Sequence, residues 1–172
     1  MLVLSYICIF SVLLLIFIED LKYRAFHWVW IPILFGLSIF KSLLISNYEL
    51  VLKALIENSL FIAFQLLLLI LYLSVRKRRF EPVINSYLGL GDLLFLLAIA
   101  PSLSIGNFLL FLVTTLSLIL IVYYILNCMK FKVSKQIPLA GLQALFLLVW
   151  LISEWLFIPQ LSFTYFNQYF AN

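Results

Sequence analysis

Residues 50–79 read LVLKALIENSLFIAFQLLLLILYLSVRKRR. From Leu50 to Val75 the run is predominantly apolar, and it stops against Arg76, Lys77, Arg78 and Arg79. A helix crosses the hydrocarbon core of a bilayer with about 20 residues, in a range of about 17–25, so this segment is long enough to span. Working outward, five more apolar runs appear: Leu2–Ile18, Val29–Ile45, Leu93–Ile105, Phe108–Leu126 and Ile137–Ile158. The fourth in chain order is short, and it spans only by borrowing Tyr87–Asp92, which puts Gly89, Gly91 and Asp92 at or just inside the membrane boundary. The whole chain of 172 residues is 66% hydrophobic and 10% charged, whereas a soluble domain is about 45–50% apolar and about 25% charged. So few charges cannot cover a water-soluble surface. The expected fold is all-α: a single polytopic membrane domain over residues 1–172 with about six transmembrane helices.

The basic residues set an orientation. Lys22 and Arg24 follow the first run, Arg76–Arg79 the third, and Lys130, Lys132 and Lys135 the fifth, which is nine of the eleven Lys and Arg in alternate loops. Only Lys41 and Lys53 fall elsewhere. The positive-inside rule then places loops one, three and five in the cytoplasm and both termini outside. The same topology accounts for the net charge of +4, so no nucleic-acid partner is expected. Arg76–Arg79 also suit anionic lipid headgroups, at about 1 kcal/mol per charge. The tail from Pro159 to Asn172 is uncharged and aromatic, with Phe163, Tyr165, Phe166, Tyr169 and Phe170 fitting an interfacial belt. Leu2–Ile18 lacks a basic n-region and an A-x-A-like site, so it reads as a retained helix. Cys8 and Cys128 form no CxxC pair and offer no zinc site or disulfide framework. No internal repeat is visible, which argues against an inverted-repeat transporter.

Asp20 and Asp92 are the only aspartates. The first leaves run one and the second enters run four, so the topology places both at one depth although 72 positions separate them (20 to 92). Ionisable residues at membrane depth are costly and usually functional. Two carboxylates that meet can share a proton, one taking a proton from water while the other, protonated, polarises a carbonyl. Gly89 and Gly91, lacking a Cβ, would let an extended peptide approach Asp92. Helix dipoles favour the ionised form at a helix start and disfavour it at a helix end, by about 0.3–1 kcal/mol each. On that basis Asp92 is the base and Asp20 carries the proton.

Gly89-Leu90-Gly91-Asp92 resembles the GxGD signature of the type IV prepilin peptidases, aspartyl peptidases related to the archaeal preflagellin peptidases. Glu19-Asp20-Leu21-Lys22-Tyr23-Arg24 resembles the family's first motif, an aspartate followed at two and four positions by basic residues. Ile137-Pro138-Leu139-Ala140-Gly141-Leu142-Gln143-Ala144 is similar to the segment that opens the family's last helix. The resemblance implies a six-helix peptidase in the bacterial inner (plasma) membrane, cutting the basic leader from prepilin-like proteins at the cytoplasmic face. It implies Asp20 and Asp92 as the catalytic pair, with no metal or other cofactor. Lys22, Arg24, Gly89, Gly91 and Pro138 would bind substrate or shape the motifs. The chain departs from the pattern in three places. Phe26-His27-Trp28 stands where the family shows I-P-N, Leu93 follows Asp92 without the usual lysine, and Ala140-Gly141-Leu142 replaces Phe-Gly-Pro. The N-terminal domain with paired CxxC motifs that methylates trimmed pilins has no counterpart here, so peptidase activity is expected without methyl transfer.

The competing reading is a small membrane transporter or assembly subunit that uses the two aspartates for proton relay; a leader-binding relative without activity is a third. Among the remaining polar residues, Lys53 and Glu57 are four apart and expected to pair on one helix face. His27 reads as a boundary residue, and Glu154 as an outer interfacial anchor.

Overall fold

The structure, a computed structural model, describes residues 1–23, 25–77, 89–128 and 139–157. Arg24, Arg78, Arg79, Lys130, Lys132, Lys135, Pro138 and the aromatic tail lie outside the described residues. Six α-helices follow one another: α1 (Leu2–Tyr23), α2 (Trp30–Ile45), α3 (Tyr48–Lys77), α4 (Leu90–Ile99), α5 (Ile105–Cys128) and α6 (Leu139–Phe157). A single 3-10 turn, Ala100–Ser102, continues α4. No strand occurs among the described residues. The protein is an all-α polytopic membrane protein.

Helices α1, α3, α5 and α6 are long and apolar enough to cross a bilayer. Of the stretch Tyr87–Asp92 that run four borrows, Tyr87 and Leu88 lie outside the described residues, while Leu90, Gly91 and Asp92 join the helix. Helix α4 starts at Leu90 and has 10 residues, and α2 has 16. Pro101 is the physical reason for the early stop, because it lacks an N–H and its ring clashes with the preceding turn. Irregular backbone at membrane depth is tolerated only where protein covers it, and here Ala100, Pro101, Ser102, Leu103 and Ser104 are all buried. Asn58 of α3, itself fully buried, supplies the missing donor: its Nδ2 donates to the carbonyls of Ala100 and Leu103, each at 2.7 Å.

The core follows two helical stripes. On α1 it is Tyr6, Ile9, Val12, Leu13 and Ile16, ending at buried Asp20. On α6 it is Ala140, Ala144, Leu147 and Leu151. Each set recurs every three or four residues and so lines one face. The two helices run antiparallel, since the end of α1 meets the start of α6 (Asp20 to Gly141) while Tyr6 lies beside Glu154. Phe95, Ala98 and Ile99 of α4, with Phe108 and Phe111 of α5, fill the remaining interior. Exposed Leu60, Phe64, Leu67 and Leu71 of α3 and Val113, Leu120 and Ile121 of α5 form the apolar exterior expected against lipid.

Glu154 is placed differently from the sequence expectation, and Lys41 is buried with it. Glu154 is not an interfacial anchor: it is fully buried, and Lys41 Nζ donates to its Oε2 at 2.9 Å. Lys41, an exception to the loop pattern, is equally buried, with its ammonium 5.4 Å from the centroid of the Tyr6 ring. Lys53 and Glu57 do pair, at 3.8 Å on an exposed face of α3.

Replacing Asn58 with leucine removes the side-chain donor from two carbonyls of the α4 turn in an apolar interior, at about 1–3 kcal/mol for a group left unsatisfied. Asn58→Leu is expected to lower the unfolding temperature in detergent well below wild type. Unchanged melting followed by circular dichroism would show that the turn does not depend on this contact.

Candidate functional site

A helix begins with backbone N–H groups that have no intrahelical acceptor. At the start of α6 two of them are taken by the aspartates. Gly141 N–H donates to Asp20 Oδ2 at 2.6 Å, and Ala140 N–H donates to Asp92 Oδ1 at 2.9 Å. Successive residues of one helix thus hold carboxylates from two others. Asp20 reaches the position because it closes the buried stripe of α1. Asp92 reaches it because α4 begins at Leu90, which places the aspartate in the first turn. There its carboxylate also lies against the backbone amide of Gly89, the residue that caps the helix. The two acids are close enough to interact electrostatically. Asp20 is buried and Asp92 half-buried.

The glycines are explained by what surrounds them. A Cβ on Gly141 would stand 2.9 Å from both Cβ and Oδ2 of Asp20. A Cβ on Gly89 would stand 2.8 Å from Asp92 Oδ2. One on Gly91 would press on the Phe26 ring at 3.2 Å. The space that the sequence assigned to an approaching peptide is therefore filled by the chain's own carboxylate and ring.

Phe26 is held there by a residue that sequence reasoning passed over. Glu19 Oε2 accepts from the backbone N–H of His27 at 2.9 Å and from the Trp30 indole Nε1 at 3.2 Å, and it lies 3.1 Å from His27 Nδ1. One carboxylate thereby folds the α1–α2 connection back on the end of α1. His27 is a boundary residue, its ring largely exposed. A signal was present in the adjacent acids Glu19-Asp20, which point to different sides of a helix and so serve different partners.

Lys22 is exposed on the last turn of α1, with its ammonium 4.9 Å from the centroid of the Tyr23 ring, and is not brought to the carboxylates. Arg24 and Pro138 lie outside the described residues. Both carboxylates also rest on the α6 N-terminus, whose field acts on the two alike and leaves the difference set by their own helices, Asp20 near the end of α1 and Asp92 in the first turn of α4. Among the described residues no group of three or more His, Cys, Asp or Glu converges to hold a metal ion.

Fold and site together define a polytopic helical membrane protein with a carboxylate pair gathered on one helix N-terminus. No protein-family model matches the chain, and neither a curated protein nor a solved structure matches it.

Gly141→Ala sets two effects against each other. Alanine raises helix propensity by about 1 kcal/mol, but its methyl would displace Asp20 and break a charge-assisted hydrogen bond of about 1.5–3 kcal/mol. The second effect is larger, so the variant is expected to melt below wild type in detergent. A rise in melting temperature would contradict the close approach of Asp20.

Proposed function

We propose that the protein is an aspartyl endopeptidase that removes the basic leader of prepilin-like proteins at the cytoplasmic face of a bacterial plasma membrane. The observation that carries this reading is the convergence of Asp20 and Asp92, from separate helices, on the adjacent amides of Ala140 and Gly141. The three segments involved are the three whose sequences resemble the prepilin peptidase motifs. The cytoplasmic assignment rests on the basic residues, nine of eleven of which follow the first, third and fifth apolar runs of the sequence.

The chemistry requires one carboxylate ionised and one protonated, which two acids in mutual reach favour. The ionised member takes a proton from a water molecule. The water oxygen bonds to the scissile carbonyl carbon while the protonated member donates to the carbonyl oxygen. The tetrahedral species collapses as the C–N bond breaks, and the amine leaves with a proton returned by the first carboxyl. One water is consumed and two chain ends appear. The α6 amides fix one oxygen of each acid without adding a charge that would force both to ionise. Their placement requires glycine at 89 and 141. Lys22 and Arg24 act as basic companions of the first motif, Gly91 seats Phe26 beside the second, and Pro138 precedes the helix whose amides do the holding.

Co-expression with a prepilin-like substrate tests the reading. Asp20→Asn and Asp92→Asn are each expected to reduce leader removal by at least about 10²–10⁴-fold, the usual contribution of a positioned acid or base. Processing that persists in either variant would exclude a two-carboxylate mechanism. A transporter would leave processing untouched and change a flux. An inactive relative would bind leader without trimming it even in wild type.

A further inference from the structure

We propose that the buried Lys41–Glu154 pair is a register lock that positions the α6 amides against the aspartates; the consequence for catalysis rests on the peptidase reading above. In lipid there is no hydrophobic drive between helices, and a seam of Ile, Leu and Ala alone packs acceptably when one helix slides by a turn. The α1–α6 seam is of this kind, with Ile9, Leu13 and Ile16 facing Ala144, Leu147 and Leu151. Among the described residues, its polar contacts stand at the two ends. Asp20 meets Gly141 at one end, and at the other Glu154 meets Lys41 with Tyr6 beside them.

In an antiparallel pair the numbers of facing residues add to a constant. The pairs Asp20–Gly141 and Tyr6–Glu154 agree in this sum to within one residue, so both ends specify one register although about 20 Å of helix separates them. A slip of one turn, about 5.4 Å, would remove Gly141 N–H from its 2.6 Å contact with Asp20. It would also strand two buried charges. A buried polar pair is best attested as a fixer of register, because its alternatives leave charge unpaired. Lys41 extends the constraint to α2, which Glu19 already ties to the end of α1 through His27 and Trp30. The ring from α1 through α2 and α6 back to Asp20 is closed. Lys41 and Glu154 touch no reacting atom; they are positioning residues.

Disulfide trapping reads the register without reference to catalysis. In a background of Cys8→Ser and Cys128→Ser, the full chain in membranes carries Leu13→Cys with one of Gln143→Cys, Leu147→Cys or Leu151→Cys, and is oxidised with copper phenanthroline. The 13/147 pair is expected to dominate. With Lys41→Met and Glu154→Leu together, which strands neither charge, the preference for 13/147 over the slipped pairs is expected to fall at least about fivefold. Leader removal is expected to fall with it, although both aspartates are present. A second variant, Trp150→Glu with Glu154→Leu, moves the acid one turn and is expected to shift trapping to 13/143. Retention of the wild-type 13/147 pattern in whichever of these variants folds would overturn the lock. A trapping shift in the variants of a protein whose wild type trims no leader would uphold the lock and reject the peptidase. Unchanged trapping in a protein that does trim would do the reverse.

Discussion

The first amides of α6 are the constraint on which the arrangement rests. A helix that starts at a membrane face needs acceptors for its leading N–H groups, and beneath a packed apolar bundle water supplies few. Asp20 and Asp92 supply two of them. Once they do, much of the local sequence is determined. Position 141 cannot bear a side chain without displacing Asp20, and position 89 cannot bear one without displacing Asp92. Helix α4 has to begin where its first turn delivers a carboxylate to Ala140. Bond strength also favours the arrangement, since hydrogen bonds to an ionised acceptor are about twice as strong as neutral ones.

Much of this was legible from the linear chain. The six apolar runs correspond to the six helices, because run length and polarity at the ends are local properties. That Asp20 and Asp92 share an end followed from counting crossings. What failed to show was non-local. The shortness of α4 comes from Pro101, visible in sequence, but its tolerance depends on Asn58 of another helix. The Lys41–Glu154 contact joins residues 113 positions apart, and neither flanking sequence marks its partner. The lone lysine in an apolar stretch and the lone glutamate in another were the available signal. Each such charge demands a counter-charge when buried, and α2 and α6 hold one of each sign in their outward halves.

The segment Phe26-His27-Trp28 shows how the α1–α2 connection is ordered. It is tied by Glu19 through a backbone N–H and an indole. Phe26 then fills the place beside Gly91 that a smaller residue would leave open. An aromatic ring so placed makes the wall next to Asp92 apolar, and Leu93, the residue that follows Asp92, acts in the same direction. Both residues make the surroundings of the second aspartate more apolar, while the amide contacts that hold the acids are untouched.

The two polar ends of the bundle differ in a way that separates their roles. Lys41 and Glu154 are fully buried and joined to each other, and a charge pair sealed in this way has no path to a substrate. The carboxylates at the opposite end differ in this respect: Asp20 is buried, whereas Asp92 is only half-buried. The sealed pair has one tolerated geometry and is suited to holding. The other pair is fixed by backbone amides of α6 and of Gly89, with Asp92 only half-buried, which places its atoms in advance and leaves one acid accessible.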